Sequence, residues 1–382
     1  MKKDCQELAI STTPPHYLTD CNRKKERSSN LELYRIIVML LIVMHHYVIN
    51  SGLIDVMAQH PTALKSIFLY LIGVWGKTGI NCFVMITGYF MCQSHITLHK
   101  FLKILLQVEF YSIIIGVIFM FIGYTPVTMK GVINMINPIK SSYDFTSSFL
   151  VFYLFIPFLN VCINNLSQRQ HLKLLFLSVF TFSILGSIPI IKIGVDYISW
   201  FCVLYVVASY LRKYPVIFDK SFMFWGILTI FSLIISMMSV FFILIRFSIV
   251  GYPFENDHLR YFLNICYFIN DSNKILALFV SVCSFMMFKN MPLKHSKIIN
   301  TIASCTFGVL LIHAASDDMR RWLWQDICNN VGMYHQNTIY LHALFVPLIV
   351  FSVCALIDYI RQKSIEQLLI NGVERVLSKL RF

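Results

Sequence analysis

Apolar residues run through this chain in long blocks broken by short polar segments, and ten blocks are long enough to read as membrane spans. They cover residues 33–53, 67–91, 104–124, 145–164, 172–190, 197–211, 221–245, 274–289, 299–316 and 340–360. About 20 mostly apolar residues suffice to cross a bilayer as a helix. The pattern therefore predicts an all-α, polytopic membrane helix bundle with about ten transmembrane helices. No internal repeat, linker or appended soluble domain is evident. The chain divides into a disordered tail over 1–29, a membrane domain over 30–361 and a C-terminal segment over 362–382.

One block departs from simple hydrophobicity. The stretch 30–52, NLELYRIIVMLLIVMHHYVINSG, carries Glu32, Arg35, His45, His46 and Asn50 within an otherwise apolar span. In a helix turning about 100° per residue, Arg35 and His46 lie only about 20° apart in direction and roughly 16 Å apart along the axis. Glu32 and Asn50 fall within about 60° of the same line, whereas His45 points about 80° to the other side. The result is one ionisable stripe, led by His46. Ionisable groups at membrane depth face a bundle interior or a wet cavity and mark function. A snorkelling Arg35 and a His46 bonded between helices would account for the same spacing without chemistry.

Composition agrees with the membrane reading. Of 382 residues, 57% are hydrophobic and 13% charged, and the mean hydropathy is +0.67. The net charge of +13 would suggest nucleic acid in a soluble protein. Here its distribution explains it: 21 of the 32 Lys and Arg fall on the side of the N-terminus, nine on the other, and two lie inside spans. This bias places both termini in the cytoplasm. No apolar core precedes Leu31, so no cleavable signal is predicted, and the basic run Arg23, Lys24, Lys25 and Arg27 holds the tail inside. The 11 cysteines are scattered, with neither a CxxC pair nor a Cys/His cluster at zinc spacing, so no metal site is predicted.

Other polar positions inside spans are candidates for the same site. The second span holds Lys77 and Asn81 four residues apart on one face, with glycines at 73, 76, 79 and 88 that allow close approach or a broken helix. Gly76-Lys77-Thr78 is not a phosphate loop, because Leu71 stands where the motif needs glycine. Glu109 in the third span would pair with a basic group such as Lys77. His313 lies at a depth like that of His46. Asp317, Asp318, Arg320 and Arg321 beyond it read as a solvated rim, and His342 and Asp358 as interface residues. No GxSxG, HExxH or GxGxxG occurs, which removes serine hydrolase, zinc protease and dinucleotide readings.

Four patterns in order resemble a known family. They are Arg35 and His46 in the first span, Gly79, Phe83, Thr87, Gly88 and Tyr89 in the second, Tyr153 to Asn160 in the fourth, and FGVLLIH at 307–313. Together they resemble the bacterial acyltransferase-3 family, most closely its stand-alone members that O-acetylate surface polysaccharides. The resemblance implies an acyltransferase of the cell inner membrane, with acetyl-coenzyme A or another acyl-CoA as cytoplasmic donor and no permanently bound cofactor. The acceptor would be a sugar hydroxyl of a surface or lipid-linked glycan. His46 would be the essential histidine and Arg35 its partner. Lys100 and Lys103 stand where relatives often carry paired arginines and would meet the coenzyme phosphates as point charges. Asp144-Phe145 and Leu310 depart from the family's aromatic pattern. Lys77 and Asn81 would polarise the thioester carbonyl, and His313 and Glu32 would serve substrate binding. Membrane lipid is a partner and nucleic acid is not. The competing class, a flippase for a lipid-linked sugar, would also place ionisable groups in a wet cavity. It would be expected to show paired broken helices in two related halves. Only the second span carries such glycine interruptions.

Overall fold

A computed structural model describes residues 28–141, 144–251 and 257–380. The predicted disordered tail, with its basic run Arg23, Lys24, Lys25 and Arg27, lies outside the described residues but for Ser28 and Ser29. Every regular element among the described residues is a helix.

Among the described residues, seven helices are long and apolar enough to cross a membrane. They are α1 (Ser29–Ile49), a Leu64–Met91 span divided into α2 (Leu64–Gly73) and α3 (Gly76–Met91), α4 (Leu98–Phe121), α5 (Phe145–Asn164), a Gln168–Ser187 span opening with α6 (Gln168–Val179), α8 (Phe222–Val250) and α13 (Ile339–Ser364). Between them, α7 (Tyr197–Lys213) and α9 (Ile275–Lys289) have 17 and 15 residues. At about 1.5 Å per residue, α9 reaches only about 22 Å, short of a hydrocarbon core of roughly 30 Å. The predicted ninth span is broken. It comprises α10 (Lys297–Ser304) and α11 (Thr306–His313) and then bends by 97° into Asp317–Ile327, which begins with α12 (Asp317–Arg321). Ten blocks thus become seven full-length helices, or eight with the bent pair, and two shorter ones. Hydropathy registers apolar length but not the breaks in it.

Local signals set the ends of several helices. Thr97, Asp144, Asp196 and Ser221 each accept a hydrogen bond from a backbone N–H three residues on, capping α4, α5, α7 and α8. Ser167 and Gln170 form a reciprocal capping box on α6. On α8, Trp225, Thr229, Ser232, Ser236, Val240 and Leu244 recur every three or four residues and are buried, facing α9. Its other face, including Met223, Ile230 and Met238, is exposed apolar surface suited to lipid.

α1 is the central helix, packed against α2, α3, α9, α10, α11 and α13. Its N-terminal end is fastened by polar contacts. Ser29 Oγ accepts from Ser296 N at 2.8 Å, and Asn30 Nδ2 donates to Lys289 O at 2.9 Å.

The C-terminal end of α13 corrects a second expectation. Asp358 is not an interface residue: it is fully buried and accepts hydrogen bonds from Gln107, Tyr111, Arg361 and Gln362 at 2.7–3.1 Å. Arg361, itself 4% exposed, also donates to Glu366 at 3.0 Å, and Glu366 pairs with Lys103 at 2.6 Å. Glu366 opens α14 (Glu366–Leu380), so one charge network ties α4, α13 and α14 together. Gly308 on α11 has no side chain where this network sits; a Cβ there would lie 2.2 Å from Asp358 Cγ. Removing one partner of a buried pair leaves the other charge uncompensated, at a cost of about 3–5 kcal/mol. Asp358→Ala is expected to lower the unfolding stability of the purified protein by that amount, measured by thermal or denaturant melting. A change under about 1 kcal/mol would mean that the network is not holding these helices.

Candidate functional site

The divided second span positions the histidines of α1. The chain turns at Val74 and Trp75, and the last carbonyl of α2, Gly73 O, accepts from His45 Nδ1 at 2.5 Å. A helix end leaves such carbonyls without helical partners, and His45 supplies one. Gly76, the first residue of α3, makes room for the ring: a Cβ there would lie 2.2 Å from His45 Cγ. His45 Nδ1 therefore carries the proton, and its Nε2 holds a lone pair.

A cavity of about 380 Å³ opens beside these residues, a volume within the usual range for small-molecule sites. Met39, Phe83 and Val108 contribute apolar wall, and His45, His46, Asn50 and Lys77 line it from the first two spans. Leu310 to Arg320 close it from the bent ninth segment, and Lys140, Asp144 and Asn270 from loops and helix starts. In the orientation set by the Lys and Arg bias, all of these belong to the middle or outer parts of their spans.

His46 sits between two other imidazoles, with ring centroids 5.8 Å from His45 and 5.1 Å from His313. His313 is fully buried behind it, and its Nδ1 donates to Val309 O at 2.6 Å. That fixes the His313 proton on Nδ1 and leaves Nε2 as an acceptor. His313 Nε2 and His46 Nδ1 are both buried and have no hydrogen-bond partner among the described residues.

The remaining predicted residues are distributed as follows. Lys77 lines the cavity and donates to the Tyr197 hydroxyl, and the pair also borders a second cavity of about 160 Å³. Arg35 and Glu32 do not line the cavity; they form an ion pair at 3.1 Å nearer the start of α1. Asn81 is a correction: it is fully buried, donating to Ser272 O at 2.7 Å and accepting from Trp200 Nε1 at 2.8 Å. Its amide fastens α3 to α7 and the loop before α9. Lys103 is held by Glu366, and Lys100 Nζ donates to His95 O at 2.8 Å, both at the start of α4 and away from the cavity.

Three further expectations change. His45 is not turned away but lines the same cavity as His46, because a cavity spanning two helices is wider than the stripe of one. Arg320 belongs to the cavity wall, although its partner Asp317 is a solvated rim residue with a 97% exposed side chain. Glu109 makes no ion pair with Lys77: its Oε1 is buried with no hydrogen-bond partner among the described residues. His342 hydrogen-bonds the Tyr47 hydroxyl at 2.7 Å. Lys140, Arg320 and Tyr197 carried no sequence signal for this cavity, since segments far apart in the chain bring them together. Gly73 and Gly76 did carry one for His45, being small residues one helix turn apart.

Residues 28–360 match the model of a family described as an acyltransferase domain. No curated protein matches the chain, and no solved structure matches it.

The placement of the cavity predicts a labelling pattern in a cysteine-free background. Asn50→Cys and Lys140→Cys should react with a membrane-impermeant maleimide on intact cells, and Lys103→Cys only after permeabilisation. The reverse pattern would invert the orientation.

Proposed function

The chain belongs to the acyltransferase-3 family, and from that premise we propose that it moves an acetyl group from cytoplasmic acetyl-coenzyme A to a sugar hydroxyl of a surface or lipid-linked glycan. It is an acyltransferase and a multi-pass membrane protein. The cell inner membrane is the proposed location, since only there does a cytoplasmic thioester face an external glycan. The observation that carries the reading is His46 on the cavity wall with the buried His313 ring behind it, 5.1 Å away between centroids.

In this mechanism His313, its proton committed to Val309 O, keeps an Nε2 lone pair beside His46, and the two rings, 5.1 Å apart between centroids, close to a hydrogen bond from His46 Nδ1 when substrate binds. His46 Nε2 then holds a lone pair for the cavity. It takes the proton of the acceptor hydroxyl as that oxygen attacks the thioester carbonyl carbon. The carbon–sulfur bond breaks, and the departing thiolate takes the proton from the imidazolium, giving the acetyl ester and coenzyme A. A relay, in which Nε2 first accepts the acetyl group and then passes it to the hydroxyl, uses the same lone pair. Lys77, from the cavity wall, donates to the carbonyl oxygen as negative charge develops there. Arg35, about three turns nearer the cytoplasm, orients the donor arm, with Glu32 holding it in place. Lys100 and Lys103 form the docking surface for the coenzyme phosphates, which requires Lys103 to exchange Glu366 for phosphate.

The test is coenzyme A release by the purified protein, with glycan O-acetylation in cells as the second readout. His46→Ala should lower turnover by about 10²-fold or more. His313→Ala, acting through tautomer and orientation, should reduce kcat while leaving the KM for acetyl-coenzyme A unchanged. His45→Ala should be milder than His46→Ala. Full activity in a well-expressed His46→Ala protein would remove the proposal.

A further inference from the structure

The charges around the cavity are unequal in sign. Three cationic side chains line it, Lys77 from α3, Lys140 from the segment before α5 and Arg320 from α12, against one carboxylate, Asp144. Asp144 is occupied in capping α5: its Oδ2 accepts from both the backbone N and the Oγ of Ser147, each at 2.8 Å. Lys77 donates to the neutral Tyr197 hydroxyl, and the carboxylate near that pair, Asp271, borders the second cavity and does not line this one. Arg320 Nη2 donates to Asp317 at 2.5 Å, and that carboxylate stands in water, where solvent and salt screen it. Lys140 Nζ has no hydrogen bond or ion pair among the described residues. Glu109 is not among the residues lining the cavity, and its Oε1 is buried with no hydrogen-bond partner among the described residues.

We infer that the acceptor glycan is anionic, carrying a carboxylate or a phosphate that Lys140 and Arg320 hold while His46 addresses a hydroxyl of the same or the adjoining ring. This rests on the reading of the cavity as the acceptor site. Cations from three separate elements converge on a largely protein-walled space, where the effective dielectric is low and an anion gains more than in water. Arg320 offers the planar fork suited to a carboxylate or phosphate, and Lys140 a mobile point charge. A neutral sugar would use none of this charge. The coenzyme phosphates do not account for it either, since the cations lie toward the outer ends of their elements, whereas the coenzyme docks at the inner loops.

The experiment uses the full chain in lipid nanodiscs, without acetyl-coenzyme A, and measures Kd for three probes: a glucuronic-acid-containing disaccharide, the neutral disaccharide cellobiose and glucose 1-phosphate. At least one acid should bind about tenfold or more tighter than cellobiose, and lose that advantage at about 1 M salt, where the screening length is about 3 Å. Which acid wins separates a carboxylate from a phosphate. Lys140→Gln and Arg320→Gln should each weaken the acid about tenfold and leave cellobiose unchanged. Equal binding of acid and cellobiose, no binding of either acid, or charge variants that weaken acetyl-coenzyme A instead would overturn the inference. The acyltransfer reading fails separately, if acid binds as stated yet no acceptor elicits coenzyme A release.

Discussion

An imidazole deep in an apolar helix must either find a hydrogen-bond partner or border a polar space, because hydrocarbon offers it neither. Consecutive histidines on α1 meet that requirement in different ways. His45 bonds the carbonyl that the break between α2 and α3 releases, and Gly76 leaves the space for its ring. His46 has no such bond on Nδ1; its neighbours are the cavity and His313. The broken second span and the bent ninth segment are thus both arranged around a few atoms of α1. Irregular backbone at membrane depth is tolerated where it is buried in protein or lines a cavity, and both conditions hold here.

The end of the bundle where α4 starts and α13 finishes uses its polar residues differently. Asp358 and Arg361 are buried and mutually satisfied, with Tyr111, Gln107, Gln362, Glu366 and Lys103 completing the network. Because Gly308 rests on Asp358, the network fixes the start of α11, and α11 ends at His313. The packed inner network therefore sets where the buried imidazole stands behind His46. One polar cluster supports position, and the other borders the cavity.

Much of this was legible in the sequence where one helix sufficed to show it. The eleven-residue spacing from Arg35 to His46 and the depth of His313 are properties of single segments, and His46 and Lys77 do line one cavity. Properties requiring two segments were not legible. His45 falls outside the stripe by helical arithmetic, yet the break after Gly73 brings a carbonyl and a cavity wall to it. Asp358 resembles an interface residue until Tyr111 and Gln107, about 250 positions earlier, supply its partners. Asn81 shares a face with Lys77 but is taken up by Trp200 and Ser272. Hydropathy was blind for a related reason to the 97° bend that redirects the ninth segment, since a window sees apolar length alone.

The central claim is that His46 stands where a donor arriving from inside meets an acceptor held outside. The most direct measurement is a structure of the protein bound to a non-hydrolysable thioether analogue of acetyl-coenzyme A. The account predicts the acyl end inside the cavity between His46 and Lys77, with its carbonyl carbon roughly 3–4 Å from His46 Nε2 or one acceptor oxygen further away. An acyl end resting against the inner surface near Lys100 and Lys103, with His46 untouched and its cavity closed to the coenzyme arm, would contradict it.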